Sequence, residues 1–371
     1  MRKFLLLTSA VIGFASTAQA AEPIKLEVGG FMNQWFGALV QGDDSKSAGT
    51  RLNNFGILSD VEVHFKGSTT LDNGVKVSAV IEKEAERTDT TVNANRNVDQ
   101  QYVFITSSFG EFSIGEREDV QHRIHTSAPK FAPDWLMMRN MHSAGAGGTP
   151  RAAQSVGWDG TSVDGISAAA NKIDYISPQL YGFTVAAGYT PTVGGRGATN
   201  TLANVHDFWD AVLAYTNKFG ELEITGDVGY FRGDRAQNDL PHGWFHGYSA
   251  GLKAAYSGFT LGGSVFLADD KARTRDFTVT GQDGISWDVG ISYEFGNWGL
   301  AFTYYQEVQD GLVLVRGDDK TTHYLGSVKY TMGPGIAYQG AVGYSEFKDE
   351  TKLDANQTSG WTIINGITLE F

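Results

Sequence analysis

Between Ile285 and Tyr305 apolar and polar residues change places at almost every step, and this two-residue period limits what the chain can become. Ile285, Trp287, Val289, Ile291, Tyr293 and Phe295 fall on one side of an extended chain. Ser286, Asp288, Gly290, Ser292 and Glu294 fall on the other. Gly296-Asn297 then reverses direction into Trp298, Leu300, Phe302 and Tyr304, interleaved with Gly299, Ala301, Thr303 and Tyr305. The pattern predicts a tight hairpin with one apolar face and an aromatic residue at each end of that face.

The same reading gives strands near 24–39, 56–66, 75–85, 99–107, 111–117, 171–177, 182–190 and 207–217. It continues near 221–231, 244–256, 258–268, 284–295, 297–308, 321–331, 335–345 and 360–371, sixteen in all. In the strand near 99–107 the two faces do not separate. Short turns fall at Gly67–Gly74, Ser108–Gly110, Pro178–Tyr181, Asn217–Gly220, Ser257, Gly296 and Met332–Pro334. Between them come long connections, near 40–55, 86–98, 118–170, 191–206, 232–243, 269–283, 309–320 and 346–359. Turns at one end and loops at the other describe an up-and-down ring of hairpins. An even strand number lets such a ring close without edges. A soluble sandwich would turn polar residues outward, so the expectation is all-β: a 16-stranded antiparallel transmembrane β-barrel over residues 21–371.

Composition agrees. Glycines number 46 against 8 prolines, with 22 Phe, 15 Tyr and 8 Trp and a mean hydropathy of −0.23, as strands apolar on one side only require. No cysteine is present, so no disulfide framework is available. Arg2 and Lys3, an apolar run from Phe4 to about Ala15 and the small-x-small triplet Ala18-Gln19-Ala20 predict a signal peptide over 1–20. Its loss, with two bases and no acids, takes the formal charge from −13 to −15. That charge argues against a nucleic-acid partner and biases a pore toward cations.

The chain ends in GWTIINGITLEF, where Trp361, Ile363, Ile367, Leu369 and Phe371 share one face. Asn365 interrupts that face, and Ile364 is the apolar exception on the other. A last strand with an aromatic terminus resembles the assembly signal of bacterial outer-membrane barrels, which makes Phe371 a signal residue for the barrel-assembly machinery. One connection exceeds the rest. After Arg117 some fifty residues pass, including Pro129, Phe131, Pro133, Trp135, Leu136, Met137 and Met138. A strandless loop this apolar has to bury those groups, and the inside of the barrel is the economical place.

Here the chain resembles a family. Ser107 to Asp119, SSFGEFSIGERED, is similar to the turn and strand preceding the third external loop of trimeric Gram-negative porins, and Asn171 to Pro191 to the hairpin following it. The resemblance implies a homotrimer in the outer membrane, among lipid and lipopolysaccharide, each subunit a water-filled channel narrowed by its infolded third loop. It also implies loop acids facing a basic wall across a constriction. The loop offers Glu118, Asp119 and Asp134, with Arg123, Lys130 and Arg139 nearby. Periodicity points Arg117, Glu62, His64, Lys76, Glu82 and Glu84 inward, a mixed wall that departs from an arginine-rich one and suits weak cation preference.

Catalytic look-alikes are weak. Gly247-Tyr248-Ser249-Ala250-Gly251 matches G-x-S-x-G, but it falls mid-strand instead of at a strand-to-helix turn. His242 and His246 lack the intervening glutamate and helix of a zinc motif, and His122, His125 and His142 lack ligand spacing. The acid pairs Asp43-Asp44, Asp269-Asp270 and Asp318-Asp319 fall in external loops and admit structural Ca2+. The expected function is passive diffusion of small hydrophilic solutes and ions, without a cofactor and without enzyme chemistry. The alternative is a substrate-selective channel with a binding site for a sugar, organic acid or phosphate. Phe31, Phe131 and Trp135 would be the candidates for a sugar path.

Overall fold

The computed structural model describes residues 23–42, 54–85, 98–132, 160–163, 170–193, 205–235, 243–270, 283–310, 317–351 and 357–371. The leader, Asp43-Asp44, Asp134, Trp135, Arg139, His142 and His242 lie outside these residues.

The chain begins with β1 (Lys25–Gln41), β2 (Phe55–Thr70), β3 (Lys76–Glu84), β4 (Gln101–Ser107) and β5 (Gly110–Arg117). A short helix, α1 (Val120–Ile124), opens the long connection. Next are β6 (Ala170–Ile176), β7 (Phe183–Thr192), β8 (Val205–Phe219), β9 (Leu222–Arg235) and β10 (Gly243–Tyr256). The ring is completed by β11 (Phe259–Asp270), β12 (Gly284–Phe295), β13 (Trp298–Asp310), β14 (Asp318–Gly333), β15 (Ile336–Lys348) and β16 (Thr358–Glu370). Every strand pairs antiparallel with its sequence neighbours, and β1 closes on β16 with Phe31 opposite Glu370 and Gln41 opposite Gly360. The Phe371 N–H donates to the Gly30 carbonyl at 3.1 Å, and the Gly30 N–H donates to the Phe371 carbonyl at 3.0 Å, so the last residue seals the seam.

All sixteen expected strands form. The β12–β13 hairpin turns at Gly296, whose φ of 56° is the left-handed backbone a two-residue turn needs. One turn differs from expectation. Gly67 does not end its strand: β2 runs on to Thr70, with Ser68 opposite Ser78 and Thr70 opposite Lys76, and the chain turns over 71–75. Ser68, Thr69 and Thr70 suit an extended wall, and β-branched residues outweigh one glycine there. β4, unresolved by pattern, turns Val103 and Ile105 outward and Tyr102 and Phe104 inward. Its inner aromatics lie beneath Arg117, whose guanidinium carbon is 4.2 Å from the Tyr102 ring centroid and 5.8 Å from that of Phe104.

The outer surface is the apolar one, with Leu252, Leu261, Leu300, Phe302 and Ile363 exposed. Aromatic pairs flank it at both ends. Phe259–Tyr293 (4.2 Å between centroids) and Trp298–Tyr330 (4.6 Å) lie toward the turns; Tyr189–Trp209 (4.3 Å) and Tyr344–Trp361 (5.2 Å) lie toward the loops. Both irregularities of β16 have partners. Asn365, on the apolar face, accepts a hydrogen bond from the Tyr338 hydroxyl at 2.5 Å. Ile364 points inward and is 1% exposed, packed with Trp35, Leu325 and Ala341.

That packing places apolar groups inside the barrel. Among the described residues, apolar groups cluster inside the barrel at three places where the long connection touches its wall. Ala132 joins Trp35, Leu325, Ala341 and Ile364; Val163 joins Phe208, Phe231, Phe245 and Phe266; Val120 of α1 joins Ala186 and Val212. Wall positions covered there lose their water, which favours apolar side chains; elsewhere buried Asp210 and Asp227 bind the segment's backbone instead.

Candidate functional site: the lumen and its infolded segment

Residues 118–132 and 160–163 lie inside the barrel, held by wall side chains that accept or donate to their backbone. The Asp210 carboxylate on β8 accepts the Gln121 N–H at 2.8 Å. On β9, Asp227 accepts the Thr126 N–H at 2.7 Å through one oxygen and contacts His125 Nδ1 at 3.0 Å through the other. Asp288 on β12 accepts the Ala128 N–H at 3.1 Å, and Ser327 on β14 accepts that of Phe131 at 3.0 Å. The Thr303 and Ser286 hydroxyls donate to the carbonyls of Pro129 and Gly160, at 2.7 and 2.9 Å.

Glycines make room for this segment. A Cβ at Gly251 would lie 1.8 Å from the Thr126 carbonyl oxygen, one at Gly229 2.7 Å from Gln121, and one at Gly299 2.7 Å from the Phe131 ring. Gly262 faces Pro129 and Gly290 faces Ala128 at 3.4 and 3.2 Å. These five glycines occupy inward positions on five consecutive strands, β9 to β13. They form a shallow track across the wall. Sequence reading missed the track and the three aspartates, because only the ring's register sets them side by side.

The expected catalytic look-alike becomes an anchor. Ser249 is mid-strand on β10, 3% exposed, and its hydroxyl accepts the Gln121 side-chain amide. His122 and His125 act as clamps, contacting the hydroxyls of Ser162 at 2.7 Å and Thr161 at 3.0 Å. His246 packs among Trp244, Tyr230 and Tyr248.

At the mouth of the segment six charges compensate one another. Arg117 meets Glu111 at 2.7 Å; Arg123 meets Asp174 at 3.3 Å and Glu111 at 3.8 Å; Lys172 meets Asp119 at 3.0 Å. Burial, then the nearby Arg117, press the Arg123 guanidinium below its ordinary pKa. Asp119 is 1% exposed. The expectation that it lines the open passage is therefore corrected: lysine pairing takes it into the wall. Glu118 stays half-buried at the surface, 4.0 Å from His122.

A different sector is acidic. On β2 and β3, Glu62, His64, Glu82 and Glu84 all point inward, as periodicity required. Glu82 stands directly opposite His64, Glu84 opposite Glu62, and Glu62 contacts His64 Nε2 at 2.7 Å. Asp60, Asp99 and Glu118 add their fields to this patch. A cavity of about 610 Å³ opens beside it, bordered by Phe31, Asp60 and His64. Lysines gather elsewhere: Lys329 lies 5.9 Å from the Phe131 ring, and Lys253 packs by Gly262 near Lys130. β2–β3 and β10–β11 stand eight strands apart in the sixteen-strand ring, on opposite sides. Among the described residues, the Glu62, Glu82 and Glu84 carboxylates and Lys253 thus belong to opposite sides of the ring, with Lys66 over the Phe104 ring on the acidic side and Asp288 and Asp227 beside Lys253.

A family model for Gram-negative porins matches residues 7–350. No curated protein matches by sequence. Among solved structures the chain is similar to the outer-membrane channel DcaP of Acinetobacter baumannii, with a TM-score of 0.65 and 13% identity over 97% of this chain and 99% of that one. It is also similar to Salmonella typhi OmpF (TM-score 0.64, 13% identity, 93% and 97% covered). An anion-selective porin from Comamonas acidovorans follows (TM-score 0.59, 18% identity, 94% and 100% covered).

Proposed function

The chain belongs to the Gram-negative porin family and forms a diffusion channel of the bacterial outer membrane, and on that premise we propose that it passes small hydrophilic solutes and ions with a weak preference for cations. One observation carries the preference. Glu62 and Glu82 face the lumen with no lysine or arginine at ion-pair distance among the described residues, whereas Arg117, Arg123 and Lys172 are matched by Glu111, Asp174 and Asp119. Uncompensated carboxylates lining a narrow aqueous path concentrate cations. Glu118 belongs to the same acidic side in this reading; Asp134 and Arg139 keep only the placement that resemblance implies. Reversal potentials in a KCl gradient test it: a cation-selective sign is expected, and an anion-selective sign would overturn it.

Of the candidates for a substrate-selective path, Phe31 borders the cavity beside His64 and Phe131 packs against Gly299, while four other interior phenylalanines add nothing to it. Phe208, Phe231, Phe245 and Phe266 are covered by Val163 and one another, so they present no stacking surface to a sugar.

The reading includes export with loss of residues 1–20, assembly through the C-terminal strand ending at Phe371, a lipid and lipopolysaccharide surround, and a homotrimer. The trimer is supported by the low wall: β4, β5 and β6 have 7, 8 and 7 residues. Seven tilted residues rise only about 18 Å, short of the ~25 Å apolar band of an outer-membrane barrel. Protein is the better cover for such a sector. The reading also includes one structural calcium, at the loop end of β14. Asp319 is fully buried, its Oδ2 has no hydrogen-bond partner among the described residues, and carboxylate oxygens of Asp349 and Glu350 lie within 4.8 Å.

A further inference from the structure

We propose that Glu62, His64 and Glu82 form a binding site for a zinc-like divalent transition cation on the channel wall, and that its occupation weakens the pore's preference for cations. The proposal rests on the channel reading above and goes beyond it.

Register builds the site. His64 and Glu82 are Cα partners across β2 and β3, and Glu62 sits two residues from His64 on the same inward face. One atom from each side chain, an imidazole nitrogen and two carboxylate oxygens, lies within 4.8 Å of the others. Around a tetrahedral ion with ligand bonds of about 2.1 Å, donors stand about 3.4 Å apart. Two flexible glutamates close that difference by side-chain rotation alone. Glu62 Oε2 and His64 Nε2 already converge at 2.7 Å, and an ion between them would displace the proton they share.

Donor type decides the metal. One nitrogen with two oxygens suits zinc, nickel or copper better than calcium or magnesium, which take all-oxygen shells. Water in the lumen supplies the remaining positions. Asp60, Asp99 and Glu118 add to the negative field at the site. A bound dication would cancel the charge that draws cations inward.

The probe is Zn2+ in planar-bilayer recordings of the full-length channel. At about 10–100 μM it is expected to lower the cation-to-anion permeability ratio at least twofold, reversibly with EDTA, while Mg2+ at equal concentration leaves the ratio unchanged. His64→Asn, compared with its own metal-free ratio, is expected to lose the response, and Glu62→Gln to weaken it. An identical Zn2+ response in His64→Asn, or equal responses to Zn2+ and Mg2+, would overturn the site in favour of diffuse screening. A Co2+ titration of the detergent-folded protein reads the site without conductance. A visible ligand-field band that saturates at one ion per chain and vanishes in His64→Asn supports it, and its absence overturns it. A channel that conducts but ignores zinc sinks only this site; a barrel that binds cobalt but conducts nothing sinks the channel reading instead.

Discussion

At the residue scale, the contacts that hold the infolded segment divide into room and charge. Gly251 provides room. Its replacement by alanine would drive a methyl group into the Thr126 carbonyl at 1.8 Å, whereas Gly326→Ala meets only the Val342 carbonyl oxygen at 3.7 Å. Overpacking of this kind costs about 1–3 kcal/mol. Gly251→Ala is therefore expected to lower the unfolding midpoint and alter single-channel steps, with Gly326→Ala as the silent control. Asp227 provides charge. Asp227→Ala strips the Thr126 N–H and His125 of their partner, a loss of about 1.5–3 kcal/mol per charged hydrogen bond. Frequent brief closures in current traces are the expected sign of a loosened segment. Sequence periodicity alone showed which way Glu62, His64, Glu82 and Arg117 point, since facing depends only on residue parity. It did not show that Asp119 is withdrawn from the lumen, because its partner Lys172 is far along the chain and only strand pairing brings them together.

At the element scale, the strands obey local rules and the exceptions have local causes. Thr69 and Thr70 carry β2 past Gly67, and Arg117 draws Tyr102 and Phe104 to the inner face of β4. The short β4–β6 sector yields an oligomer prediction. Ile105 and Ile114 are outward-facing and exposed there. Ile105→Lys or Ile114→Lys is expected to shift the assembly from trimer toward monomer in detergent, with strand content unchanged. A trimer that survives both changes would move the contact elsewhere. At the loop end, chelation by EGTA is expected to lower the melting temperature by a few degrees, and Asp319→Asn to remove that dependence. The acid pair Asp318-Asp319 was expected in a loop; it opens β14 instead, and Asp349 and Glu350 reach Asp319 from the end of β15.

At the scale of the whole molecule, the pore's charge is a property of the ring. Glu62→Gln with Glu82→Gln is expected to bring the permeability ratio close to one, read from the reversal potential; an unchanged ratio would place the selectivity outside β2–β3. What the sequence by itself determined was the architecture: an alternation of two, repeated sixteen times between alternately short and long connections, leaves closure as the arrangement that satisfies every backbone group in lipid. The polarity of the interior was decided only by tertiary structure. Which wall positions are covered and which aspartates bind the segment follow from where the infolded chain touches the wall, and the hydrogen bonds that hold its backbone to β8–β14 join residues 89 to 196 positions apart.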